Sequence, residues 1–297
     1  MGLQHPDHQF KSGCRLSKSD VVVSAMMSDF IFFFLQVKLY SMKRFELIDT
    51  LRGISVISMI LFHACWIMNH FGIFISDDMV RSNAFLIWER TICIAFITIA
   101  GFSFRLGKHH LKHGIITLTL GSVITVATCI FLPEIRIIFG ILTFIGAVTL
   151  LMTGAGKIKD KPDPGKGISP ILLLILFLAL YVFTYNMGLG YLGFAPDMCL
   201  YLPKWLYKGY LATFIGFMEY GFYSSDYFPM IPWIFLYLCG YELYGILMPS
   251  ERCRDLLTYG IPGIKFIGKH SLLIYIIHPI VLYVLIWIIA SKMLQVA

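Results

Sequence analysis

Four side chains in one apolar stretch have the types and spacing that chemistry would need. Residues 44–70, RFELIDTLRGISVISMILFHACWIMNH, carry Asp49 and Arg52 in their first turns, His63 two-thirds of the way along and His70 at the far end. Eleven helical steps of 100° take Arg52 to His63, about 20° past three full turns, so the two face nearly the same way, roughly 16 Å apart along the axis. Asp49, Arg52, Val56, Met59, Ile60 and His63 then form one stripe. A charge in a membrane span costs ~2.5–3.5 kcal/mol and turns toward the bundle interior or a watery cavity, so the stripe points away from lipid. A guanidinium takes phosphate in a planar, two-point fork, and Asp49, three residues earlier, is placed to pair with it. An imidazole deeper in a pocket suits general acid–base or nucleophilic work near neutral pH. The competing reading makes Asp49–Arg52 an ion pair at the membrane edge and His63 a packing hydrogen-bonder.

Other groups recur near predicted span ends. In SSDYFPMIPW, Asp226 is suited to accept hydrogen bonds from a sugar hydroxyl or amine, and Trp233 to stack on a sugar ring. Equally, Asp226 would cap a proline-started helix while Trp233 joins an interfacial aromatic belt. His278, ahead of Pro279 in the last span, reads as a packing residue or a second proton carrier. Glu89 and Arg90 read as a boundary ion pair or as part of an acceptor cavity. His109, His110 and His113 have no carboxylate or thiol near them in sequence, so no metal is expected. No phosphate-binding glycine loop, dinucleotide fingerprint or nucleophile elbow occurs.

The elements that must position these groups are membrane helices. Of 297 residues, 58% are apolar and 14% charged, too apolar for an ordinary soluble domain. Apolar windows at about 47–68, 84–104, 115–132, 137–153, 169–187, 229–248 and 271–291 predict an all-α, polytopic helical bundle of seven spans, or eight if 209–222 also crosses. The Gly-rich 209–222 stretch reads better as interfacial or re-entrant. With seven spans, fourteen Lys and Arg fall on the side of Met42, among them Arg105 and Lys108, against five on the other (Arg81, Arg136, Lys204, Lys208, Lys292). That bias puts the start of the first span in the cytoplasm, and an eighth span would erase it. The net charge of +7 is thus loop charge, not a nucleic-acid footprint. The seven cysteines form no C-x-x-C pair and read as packing residues.

Residues 1–41 stand apart: a polar lead, then an aromatic-rich apolar segment with no cleavage site after it. Met42-Lys43-Arg44 is a natural basic lead into the first span, so 1–41 is read as an N-terminal extension outside the native protein, an extra span or signal anchor being the alternatives. Residues 42–297 are read as one domain.

The stretch IDTLRGISVISMILFHA resembles the opening span of the transmembrane acyltransferase superfamily, which includes the acyltransferase-3 proteins with their Arg-x10-His helix. Further blocks, IIFGILTFIGAV at 137–148, SSDYFPMIPWIFLYLCGYELYG at 224–245 and FIGKHSLLIYIIHPIVL at 266–282, are similar to the heparan-alpha-glucosaminide N-acetyltransferase catalytic-domain family. The resemblance implies transfer of an acyl group, here acetyl, from cytoplasmic acetyl-CoA to a sugar or glycan acceptor at the opposite face of the plasma membrane. It implies a donor-contacting Arg52, with Arg105 and Lys108 of the basic loop beside it, and a catalytic His63, with His70 second and Asp49 in support. Asp226, Trp233 and His278 are the expected acceptor-binding residues. Similar sequences often carry a histidine where this chain has Thr143, so no catalytic role is expected there. The alternative is a transporter or permease using the Asp49–Arg52–His63 stripe as a path, disfavoured by the lack of an inverted repeat of broken helices. A homo-oligomer is compatible with the sequence, which sets neither acceptor identity nor acyl chain.

Overall fold

The structure is a computed structural model that describes residues 45–156, 168–195 and 198–296. The 1–41 extension and most of the 154–168 loop lie outside them. The described chain is mostly helical, and its only strands form one hairpin. Helix α1 spans Glu46–His70, α2 Asp77–Val80, α3 Asn83–Phe104, α4 His110–Phe131, α5 Ile141–Gly154 and α6 Pro170–Thr184. Strands β1 (Tyr191–Ala195) and β2 (Met198–Tyr201) pair antiparallel, Tyr191 opposite Tyr201. Then come α7 (Tyr210–Ile215), α8 (Met230–Leu247), α9 (Glu251–Thr258), α10 (Pro262–Lys269) and α11 (Ser271–Val296).

Of the seven expected spans, six are long and apolar enough to cross a membrane, α6 counting with the turns that follow it as Pro170–Leu189. α5 is the exception: its 14 residues reach only about 21 Å at 1.5 Å each, short of a ~30 Å hydrocarbon core. The fourth span therefore starts at Ile141 rather than near 137, because the chain ahead of it is engaged with another loop. In 209–222 the only helix is the six-residue α7, far below spanning length.

Local sequence explains the helix ends. Ser76, Ser82 and Ser250 each accept a backbone N–H through the side chain, at Met79, Phe85 and Cys253, satisfying one of the orphan donors of a first turn. α6 and α10 begin with proline, which has no N–H to leave unpaired there.

α1 packs against α3, α10 and α11, α3 against α8, α8 against α6, and α4 against α5. α1 and α11 run parallel: Gly268, just ahead of α11, abuts Asp49, the His63 and His278 rings meet at 5.1 Å, and Phe71 meets Tyr283 at 5.2 Å. Two crossings are set by glycine. A Cβ on Gly101 would strike the Tyr237 carbonyl, and one on Gly240 the Thr98 carbonyl, so α3 and α8 touch backbone to backbone. Gly53 and Gly268 do the same for α1 and α10, against the carbonyls of Ile264 and Asp49. In lipid, where apolar burial gives little drive, such close approach is a main source of helix adhesion. The core gathers around Ile97, Phe144, Val148, Trp233 and Tyr237, all at most 3% exposed.

Candidate active site

Two loops distant in sequence are zipped together to build one wall of the site. Ser225 N–H donates to the Arg136 carbonyl (3.0 Å), Phe228 N–H to that of Phe139 (2.8 Å), and Ile138 N–H to Ser224 Oγ (2.9 Å). Phe139 adopts a left-handed backbone (φ 58°) at the turn into α5. The pairing ends with Ile141 N–H donating to Asp226 Oδ2 at 3.1 Å. Asp226 therefore caps α5, where backbone N–H groups and the helix dipole favour an anion; α8 starts at Pro229 with no side-chain cap. The capping expected for Asp226 is real, but the helix it serves is another. Gly140 makes the approach possible, since a Cβ there would lie 2.7 Å from Oδ2.

Asp226 faces a cavity of about 60 Å³ lined by Met59, Phe62, His63, Glu89, Ile92, Cys93, Phe96, Ile141, Asp226, Phe228 and Tyr275. The Tyr275 hydroxyl donates to Oδ2 at 3.3 Å, so both described bonds land on one oxygen and Oδ1 has none from the described residues. Burial pushes the Asp226 carboxyl up to about 6, against the pull of the Ile141 N–H and the Tyr275 hydroxyl; Glu89 adds to the rise. Glu89 forms no ion pair with Arg90 or any other described cation. Two carboxyl groups and an imidazole thus share one small apolar chamber.

His63 comes from α1 and its ring lies against His278 of α11. His278 is buried, and its Nδ1 sits 3.0 Å from the Ile274 carbonyl. A carbonyl only accepts, so Nδ1 carries the proton and Nε2 presents a lone pair, buried without a partner among the described residues. Tyr275 and His278, one turn apart on α11, link the Asp226 side of the chamber to the His63 side.

A second cluster sits at the end of the bundle where α1 begins. Arg52 pairs with Asp49 Oδ1 at 2.9 Å and donates to Ser103 Oγ at 2.7 Å, tying α1 to α3. Asp49 is buried and its Oδ2 has no partner among the described residues. Lys265 of α10 pairs with Glu46 at 2.7 Å. Arg105 lies over two rings, Tyr241 (4.7 Å) and Tyr244 (4.9 Å), while Lys108 is exposed.

The structure thus brings His63, His278 and Asp226 together and keeps Asp49 and Arg52 about 16–21 Å away along α1. His70 is exposed, stacked on Trp66 at 6.1 Å, and does not line the chamber. Trp233 is 3% exposed, its ring packed by Tyr181 (5.7 Å) and Phe228 (5.0 Å) with Arg90 over it, which leaves no face for a sugar ring. Sequence reading passed over Tyr275 and Cys93 as chamber residues. Tyr275 had a signal, its i, i+3 spacing from His278; Cys93 had only its place four residues after Glu89.

This architecture, a bundle of apolar helices around a small chamber lined by His63, Glu89 and Asp226, is that of a polytopic membrane protein. The profile of the family described as heparan-alpha-glucosaminide N-acetyltransferase, catalytic, matches residues 44–280. The chain belongs to that family, which makes it an acetyltransferase-type membrane protein. No curated protein and no solved structure gives a match.

Proposed function

We propose that this protein transfers an acetyl group from acetyl-CoA, held at the cytoplasmic end of the bundle, to a sugar-like acceptor arriving from the opposite face. The observation that carries this reading is the meeting of His63 and Asp226, from distant parts of the chain, at one chamber, with Arg52 on the same helix as His63. Arg52, steadied by Asp49, holds donor phosphate with Arg105 and Lys108 beside it. A chamber of about 60 Å³ takes an acetyl group or a few waters but not a whole coenzyme, so the donor enters by its reacting end. Asp226 Oδ1 accepts a hydrogen bond from the acceptor. His63 takes the acceptor's proton as its nitrogen or oxygen attacks the thioester carbonyl. The new C–N or C–O bond forms, the C–S bond breaks, and the imidazolium returns the proton to the departing thiolate. His278 lies against the His63 ring and helps to hold it in place. The placement is the plasma membrane, and the loop-charge bias supports an orientation with the start of α1 inside.

The test is label transfer by purified full-length protein from radiolabelled acetyl-CoA to glucosamine or glucose. Wild type should acetylate one of them, and His63→Ala should fall to background with unchanged thermal unfolding. Mass spectrometry of the trapped protein distinguishes direct transfer from an acetyl-histidine. Full activity of His63→Ala, or movement of label across vesicles without release of coenzyme A, would overturn the reading.

A further inference from the structure

Arg90 is a charged group in the bundle that the transfer reading leaves without a task. It lies seven residues, roughly 10 Å, inside the start of α3, within a span. No carboxylate is within ion-pair distance among the described residues, and its buried Nε–H has no acceptor there. Its neighbour Glu89 lies about 100° around the helix and lines the chamber instead. The guanidinium centre stands 5.9 Å from the Trp233 ring, which Tyr181 and Phe228 hold in place. Arg90 itself is only partly buried.

An unpaired guanidinium is a costly thing to keep in a span, and a helix-edge arginine with no binding task reaches for water instead. Here an aromatic ring fixes the cation. Trp233 accepts no hydrogen bond from the edge N–H groups, so the fork stays available to an oxyanion of matching width. We propose that Arg90, on its Trp233 floor, is a binding site for a carboxylate or phosphate group presented at the end of the bundle where α3 begins. Two sources carry that chemistry: a phospholipid headgroup, and an acidic group on the acceptor. An acidic group on the acceptor rests on the transfer reading; a lipid headgroup does not.

The experiment is equilibrium binding of two probes, phosphatidylglycerol and glucuronate, to the purified full chain in non-ionic detergent. Wild type should bind at least one, and Arg90→Gln should weaken that binding about tenfold or more, as expected for loss of hydrogen bonds to a charged group. Arg90→Lys, which keeps the charge and loses the fork, should fall between. The readout is binding, so it stands whether or not the protein transfers acetyl groups. Loss confined to phosphatidylglycerol assigns the site to lipid, and loss confined to glucuronate assigns it to an acidic acceptor. Wild type binding neither probe, or Arg90→Gln binding both unchanged, overturns the proposal. Should Arg90→Gln fail to purify, unchanged affinity in Arg90→Lys overturns it equally.

Discussion

Asp226 holds two posts, helix cap and chamber carboxylate, and a pair of substitutions separates them. Asp226→Ala removes the acceptor for Ile141 N–H, a capping loss of about 0.5–2 kcal/mol. It also strands the Tyr275 hydroxyl, a further ~1–3 kcal/mol for an unsatisfied buried donor. Thermal unfolding in detergent should therefore show Asp226→Ala losing roughly 2–4 kcal/mol. Asp226→Asn keeps an oxygen for both donors and, below about pH 4 where both side chains are neutral, should stay within about 1 kcal/mol of wild type. Activity should divide differently. Asn cannot offer the carboxylate's stronger hydrogen bond, so kcat/KM in the acetyl-transfer assay should fall about ten- to hundredfold in both variants. Stability against pH gives a third reading. Because the folded-state value, about 6, exceeds the ordinary 3.8, the folded protein holds the proton more tightly than the unfolded chain. That contribution is complete below about pH 4 and is lost as pH rises through about 6; Asp226→Asn should lose this slope. A fully active Asp226→Asn would refute the chamber role and leave Asp226 a cap alone.

Gly140→Ala should act on the same carboxylate from outside: a Cβ 2.7 Å from Oδ2 must push it off Ile141, lowering both melting temperature and transfer rate, and a wild-type melt would show the contact to be yielding. Gly240→Ala should cost about 1–3 kcal/mol by prying α3 from α8, whereas Gly263→Ala, with open space around it, should be neutral or stabilising by up to about 1 kcal/mol; calorimetry or fluorescence melts compare them. Arg52→Ala should raise the KM for acetyl-CoA about tenfold or more with a smaller effect on kcat, while His70→Ala stays within about twofold of wild type in both.

Periodicity made the spans legible, and with them the shared face of Asp49, Arg52 and His63, because a helix fixes its own side-chain directions. All seven expected crossings are helices, with α5 cut short at its start. The chamber was less legible. Asp226 reaches the first turn of α5 only because residues 135–141 and 222–228 pair through backbone bonds, and backbone pairing between irregular segments leaves no pattern in side-chain types. Trp233 shows the same limit from the other side: tryptophan near a span end reads as an interfacial ring, and only packing reveals it as a buried floor beneath Arg90. Glu89 and Arg90, adjacent and of opposite sign, invite an ion pair on paper, but the helix turns them to different neighbours.

α1 also works as a ruler. Arg52 and His63 are mounted on one uninterrupted helix, so the roughly 16 Å between them is set by the rise of that helix. A donor whose phosphates rest on Arg52 can bring its acyl carbon to His63 only at the tip of a slender arm of about that length. Acetyl phosphate, whose charge sits next to its acyl carbon, is too compact to touch both. On the proposed roles of Arg52 and His63, the spacing would select donors by reach and would leave the donor's anionic head at the rim while only the uncharged tether enters the membrane.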